Sequence, residues 1–164
     1  MRKLLFFLFI TLSLPTAFGG PGGIAFAATR IGAATLEAYV LLSGGLAKEL
    51  SIEVPGDRPA LIDNPQGSNV VVLLTDIDLD LRGLRRIGEA GLEGLAQIGR
   101  TRRTLAIAIS VAAPLPAQSD SHERRDLREG QINIDAETSA ADIVAVAASQ
   151  ILNHEEHEEH EDNI

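Results

Sequence analysis

Three sets of residues carry side chains able to do chemistry. Asp76, Asp78 and Asp80 alternate with Ile77, Leu79 and Leu81. His154, His157 and His160 recur every third residue among glutamates near the end of the chain. His122, the remaining histidine, sits in the hydrophilic run Ser119-Asp120-Ser121-His122-Glu123. Neutral imidazoles beside carboxylates suit zinc, nickel or copper. On a helix His154 would neighbour His157, and His157 would neighbour His160. A repeat of three nevertheless drifts around a 3.6-residue turn, so all three could share one metal only with distortion. His154-Glu155-Glu156-His157 also differs from the zinc-protease pattern, whose histidines stand four apart so that both face one ion. Composition therefore reads residues 153–164 as a disordered, acidic His/Glu-rich tail. Weak divalent-metal binding there is the one cofactor the sequence suggests. The repeat resembles the Glu/His-rich ends of unrelated bacterial reading frames in which a short tandem DNA repeat is translated, a resemblance that implies no activity.

The aspartates follow an apolar run, Val70-Val71-Val72-Leu73-Leu74. If that run is a parallel strand, they lie at the edge where α/β proteins place ligands. An apolar run followed by Asp-x-Asp resembles the first motif of haloacid-dehalogenase-type phosphatases. That resemblance implies Asp76 as nucleophile and Asp78 as acid/base, with Mg²⁺ beside them. The sequence departs from the family at Leu79 and Asp80, where Gly and Thr belong. Its lysines, Lys3 and Lys48, both lie upstream, so the downstream lysine is missing. The plainer reading is three aspartates on the wet face of a half-buried strand. A calcium hand is ruled out, because Leu81 stands where its loop needs glycine.

Other site signatures are weaker. Gly88-Glu89-Ala90-Gly91 has the Gly-x-x-Gly form of a KH loop, but Glu89 opposes a phosphate clamp and helix packing explains the glycines. Neither GxGxxG, GxxxxGK[ST] nor GxSxG occurs. Arginines concentrate in the middle of the chain, at Arg82, Arg85, Arg86, Arg100, Arg102 and Arg103, then Arg124, Arg125 and Arg128. Without interleaved aromatics they read as a solvated face, so no nucleic-acid partner is expected.

Two strands and a helix must position whatever site exists. Asn69 to Leu81 alternates with period two and is β-branched at its start, which predicts a strand buried on both faces first and on one face later. Leu84 to Gly99 predicts a helix: Leu84, Ile87, Gly88, Gly91, Leu92, Leu95 and Ile98 share one face. Glycines on that face predict close packing. Thr104 to Ala112 predicts a second strand, with Leu105, Ile107, Ile109 and Val111 on one side and small residues on the other. Short connections make this a parallel βαβ unit over residues 69–112. Around it, Ala33–Leu42 is expected to be a helix, Leu50–Val54 a short strand, Gln131–Asp135 a strand, and Ala140–Leu152 a helix behind a capping sequence at Ser139.

The N-terminus reads as a secretory signal. Met1-Arg2-Lys3 is basic, Leu4–Leu14 is apolar, Pro15 breaks it, and Ala17-Phe18-Gly19 offers small residues for cleavage before Gly20. Ala25-Phe26-Ala27 offers a second site. The apolar run falls short of the roughly 20 residues that span a bilayer, although an uncleaved anchor is the alternative. The expected organisation is a signal peptide over 1–19 (or to 27), a small α/β or α+β domain over 20–152, and the tail. With no cysteine and a net charge of −9, stability must come from packing rather than disulfides. Membrane contact is expected only through the signal segment, and the mature protein in the periplasm or outside the cell. No catalytic constellation emerges. The expectation is a non-catalytic binding or structural protein of the cell envelope, of unknown partner. A metal-dependent phosphatase-like enzyme using Asp76 and Asp78, or a reading frame without function, are the alternatives.

Overall fold

A computed structural model describes residues 16–20, 23–44, 49–53, 59–64, 67–101, 103–112 and 122–161. Seven strands and two helices follow one another in the order β1 (Thr16–Gly20), β2 (Ile24–Ile31), β3 (Ala34–Leu41), β4 (Glu49–Ile52), β5 (Ala60–Asp63), β6 (Asn69–Thr75), α1 (Leu81–Gln97), β7 (Thr104–Ser110) and α2 (His122–Glu161). The main sheet runs β1-β2-β3-β6-β7, and β4 and β5 form a separate two-stranded ribbon. All neighbours are antiparallel except β6 and β7, which are parallel with Asn69 opposite Thr104. The fold is mixed α/β, and the expected β–α–β unit over 69–112 is its centre.

Burial explains the apolar run at 70–74. Every residue of β6 is buried. Val71 and Leu73 join the core beneath the helices, whereas Val70, Val72 and Leu74 join a second core with Leu50 and Ile52 from the ribbon. Period-two alternation needs one wet face; a strand covered on both sides reads as continuous hydrophobicity.

Both helices lie on one face of the sheet. α1 covers β6 and β7, and α2 covers β1, β2 and β3 while packing along α1. Glycines and alanines set the spacing. A methyl group on Gly91 would stand 3.0 Å from Leu73 Cδ1 and 3.3 Å from Val71 Cγ1. Ala136, Ala140, Ala147 and Ala148 of α2 are fully or almost fully buried. Small residues at these positions let the helix backbones approach the sheet and each other, as the glycine-bearing face of 84–99 predicts. Asp80 caps α1: its Oδ1 accepts the Gly83 N–H at 2.7 Å.

Four expected elements differ. The strand expected over Asn69–Leu81 ends at Thr75, and the residues from Asp76 to Asp80 form the connection to α1, because from Leu81 the chain is helical behind the Asp80 cap. Ala33–Leu42 is β3 rather than a helix. Its Leu and Ala content favours helix, but Leu36, Ala38 and Val40 alternate into the core between β2 and β6, and sheet pairing overrides local preference. Gln131–Asp135 belongs to α2, where Gln131 Nε2 donates to Asp135 Oδ1 across one turn at 2.8 Å; five alternating residues were too few to fix a period. Residues 153–161, expected to be disordered, continue α2 to Glu161. The expected signal segment up to Pro15 lies outside the described residues. Thr16–Gly20 pairs with β2 as the sheet's edge strand, and the alternative cleavage point before Ala28 falls inside β2. No helix among the described residues is long and apolar enough to cross a membrane.

Candidate functional site

The two ends of β6 differ in chemistry. Its C-terminal end carries the aspartates singled out by sequence, and there the structure gives them structural work. Asp76 Oδ1 accepts the Thr35 N–H at the start of β3 at 2.6 Å. The Thr75 hydroxyl donates to the Thr35 carbonyl at 2.8 Å and accepts the Ile77 N–H at 3.1 Å. The Ser110 hydroxyl donates to the Ile77 carbonyl at 2.7 Å. Asp80 is the helix cap, and Asp78 is exposed. Of the pair expected to act together, Asp76 is thus tied to β3 while Asp78 faces solvent. Among the described residues no three His, Cys, Asp or Glu side chains gather in a way that could hold a metal.

His154, His157 and His160 fall on the last turns of α2, and His122 is its first residue. The side chains of all four lie outside the described part of the structure. Exposed arginines on α1 are partly neutralised locally: Arg85 pairs with Glu89 at 2.9 Å, and Arg86 lies 3.6 Å from Glu137 of α2. Arg86, Glu89, Glu93, Glu137 and Asp142 line an open groove of about 440 Å³ between the helices.

The N-terminal end of β6, outside every motif that the sequence singles out, holds the better-built constellation. Gly67 adopts φ +65°, a left-handed conformation suited to glycine. Its N–H donates to the Asn64 carbonyl at 3.1 Å, closing a tight turn. The Asn64 side chain, 6 % exposed, grips the next residue at both backbone groups. Its Oδ1 accepts the Ser68 N–H at 3.1 Å, and its Nδ2 donates to the Ser68 carbonyl at 2.7 Å. Asn69, 1 % exposed, accepts the Ser43 N–H on its side-chain oxygen at 2.8 Å, and its own N–H donates to the Arg103 carbonyl at 2.8 Å. Ser68 is therefore held, half-buried, between a glycine turn and the central strand. Four chain segments converge there: the end of β3, the end of β5, the start of β6 and the start of β7. Sequence reasoning passed over Ser68 because its signal, a Gly-Ser pair before an apolar strand, is common. Asn64 is decisive only through a turn that no short motif encodes.

One phenol is perturbed. The Tyr39 hydroxyl donates to Glu37 Oε2 at 2.9 Å. Burial, with the neighbouring Glu37 and Glu53 carboxylates, raises its pKa from 10.0 to about 12.

No family profile matches the chain, and no curated protein matches it. Solved structures do. The PH0078 protein of Pyrococcus horikoshii OT3 is matched at 21 % identity with a TM-score of 0.51, over 80 % of this chain and 39 % of that one. An L-aminopeptidase D-Ala-esterase/amidase from Ochrobactrum anthropi, described as a prototype for the serine aminopeptidases and a new variant of the Ntn hydrolase fold, is matched at 24 % identity and TM-score 0.42, over 80 % and 39 %. A Burkholderia sp. β-aminopeptidase is matched at 17 % identity and TM-score 0.38, over 80 % and 48 %. The chain thus spans less than half the length of each of these three proteins. The expectation of a non-catalytic binding or structural envelope protein is corrected by these comparisons, because the matches include two hydrolases. Asp76, the nucleophile of the phosphatase alternative, accepts the Thr35 N–H on one carboxylate oxygen. At this identity it is the fold that is shown, and the chain shares the fold of the Pyrococcus protein.

Proposed function

We propose that the chain carries the nucleophile-bearing part of an amide-bond hydrolase, with Ser68 as nucleophile. The observation that carries this reading is the Gly67–Ser68 peptide bond at the head of the buried central strand. Gly67 is in a left-handed turn, and Asn64 pins both backbone groups of Ser68. A serine hydroxyl is a weak nucleophile until a base stands beside it, and the α-amine of a chain-terminal residue can be that base. That amine is released if Ser68 Oγ attacks the Gly67 carbonyl carbon. The amide C–N bond breaks, the nitrogen takes the hydroxyl proton, and an ester joins Gly67 to Ser68. Water then hydrolyses the ester, leaving a Gly67 carboxylate and Ser68 with a free amine and hydroxyl. Asn64 would hold the new terminus in place, because its contacts are to Ser68 itself. The names of two matched proteins, an aminopeptidase and a β-aminopeptidase, suggest amino-terminal amides as the substrate class.

Intact-mass analysis and turnover of amino-acid p-nitroanilides test this on the full chain. The expected result is two pieces meeting at Gly67/Ser68, with p-nitroaniline release that Ser68→Ala abolishes along with the cleavage. An uncleaved chain without activity, or activity that survives Ser68→Ala, would overturn it. Export remains part of the proposal, and the same mass data test it through a start at Gly20.

A further inference from the structure

We infer that the outer edge of β7 and the adjoining flank of α1 form a docking surface for a second copy of this chain, joining the two main sheets edge to edge into one. β7 is the last strand of the sheet, and among the described residues no strand pairs with its outer side. The Val111 N–H donates to the Thr75 carbonyl and the Arg103 carbonyl accepts the Asn69 N–H. Odd-numbered residues of β7 therefore turn their backbone groups toward β6. Thr104, Ala106, Ala108 and Ser110 turn theirs outward. The strand, Thr-Leu-Ala-Ile-Ala-Ile-Ser, has no charge and no proline. Those are the devices that ordinarily protect an exposed edge.

What fits such an edge is an antiparallel strand, and a twofold axis supplies one from an identical chain. The register that uses the whole strand sets Ile107 opposite itself, Ala106 opposite Ala108 and Leu105 opposite Ile109. It pairs residues whose backbone groups both point outward. The helices agree with this geometry. Gly88 of α1 faces Ala106 of β7, and Gly91 faces Val71 and Leu73 of β6, so α1 straddles the two strands. With strands about 4.8 Å apart, the axis lies about 2.4 Å beyond β7 and α1 about 4.8 Å from it. Two copies of α1 would then run antiparallel at about 10 Å, an ordinary helix-packing distance.

The flank of α1 turned to that side is suited to contact. It carries Leu81, which is 85 % exposed, with Gly88, Leu92 and Ala96. On the other face of the sheet, where Ile107 and Ile109 point, Leu105 of β7 is 50 % exposed and would meet Ile109 of the second copy. Arg85 and Glu89, on the same flank of α1 as Leu81, would face their opposites across the axis, because antiparallel helices set the basic end of one against the acidic end of the other. Among the described residues, two of the four large exposed apolar side chains are covered by this one contact.

The chain has no cysteine, which makes the test direct. Ile107 opposite itself is a non-hydrogen-bonded pair, with Cα atoms about 4.5 Å apart, inside the range a disulfide spans. Sedimentation of the full chain should show a dimer. Ile107→Cys should give a disulfide-linked dimer under mild oxidation, whereas Ile134→Cys, exposed on α2, should not. Leu105→Lys with Leu81→Glu should convert the protein to a monomer with unchanged circular dichroism. Leu81→Glu places a carboxylate at the N-terminus of α1, which favours the helix, so loss of the dimer is separable from loss of the fold. A monomeric parent chain would overturn the inference. So would a dimer that survives both substitutions, or one that Ile107→Cys fails to link.

Discussion

The crossing of α1 over α2 makes a prediction whose sign differs at two neighbouring glycines. A methyl group on Gly94 would be driven into the Ala141 carbonyl oxygen, and would lie 3.1 Å from both the Ala141 carbonyl carbon and Val144 Cβ. On Gly88 the nearest atom would be Ala106 Cβ at 3.9 Å, an ordinary contact. Gly→Ala inside a helix gains about 1 kcal/mol from propensity alone. At Gly88 that gain stands, so Gly88→Ala should stabilise by about 0.5–1 kcal/mol. At Gly94 the obstacle is backbone rather than a side-chain tip, and α1 must move off α2. Overpacking costs about 1–3 kcal/mol and more where nothing can yield. Net destabilisation of about 2 kcal/mol is expected for Gly94→Ala. With a urea slope of about 2 kcal/mol/M, its midpoint should fall by about 1 M and that of Gly88→Ala rise by up to about 0.5 M. Urea titration followed by circular dichroism at one fixed protein concentration measures both. If Gly94→Ala proved as stable as the parent at unchanged slope, the close α1–α2 crossing would be wrong.

Three further substitutions read other parts of the structure. Asp80→Ala removes the cap on the Gly83 N–H and should cost about 1 kcal/mol by the same urea assay; Asp80→Asn, which keeps an acceptor, should cost less. Asn64→Ala strips both partners from the Ser68 backbone and should cost about 1–3 kcal/mol, while also blocking the proposed cleavage at Gly67–Ser68, seen by intact mass. Tyr39 is the one tyrosine and there is no tryptophan, so absorbance reports its ionisation alone. The folded phenol should titrate near pH 12 instead of 10, and Glu37→Gln should bring the transition down. The folded state binds this proton more tightly than the unfolded one. Its contribution to stability is therefore complete below pH 10 and is lost as pH rises from 10 toward 12. A transition at the ordinary phenol value in the folded protein would show that the Glu37 contact does not persist in solution.

The chain itself determined its central unit. A β-branched apolar run from Asn69, a glycine-bearing apolar face over 84–99 and a large/small alternation over 104–110 are local patterns, and β6, α1 and β7 form on them, although the strand expected to reach Leu81 ends at Thr75 and α1 begins at Leu81. Local pattern failed where partners decide. Ala33–Leu42 has helix-forming residues, and it is a strand because β2 and β6 offer ladder bonds on both sides. Residues 131–135 alternate by chance within a helix. The candidate site divides in the same way. The aspartates were conspicuous because three identical charged residues in period two stand out in any sequence, yet hydrogen bonds to Thr35 and Gly83 give Asp76 and Asp80 structural roles. Ser68 was inconspicuous because nothing in Gly-Ser-Asn states that a buried Asn64 four residues earlier will grip its backbone, or that Ser43 and Arg103 will arrive beside it. Secondary structure follows from periodicities a few residues long. The convergence of four segments on one end of β6 follows from the order of strands in the sheet, which is settled only when the whole chain packs.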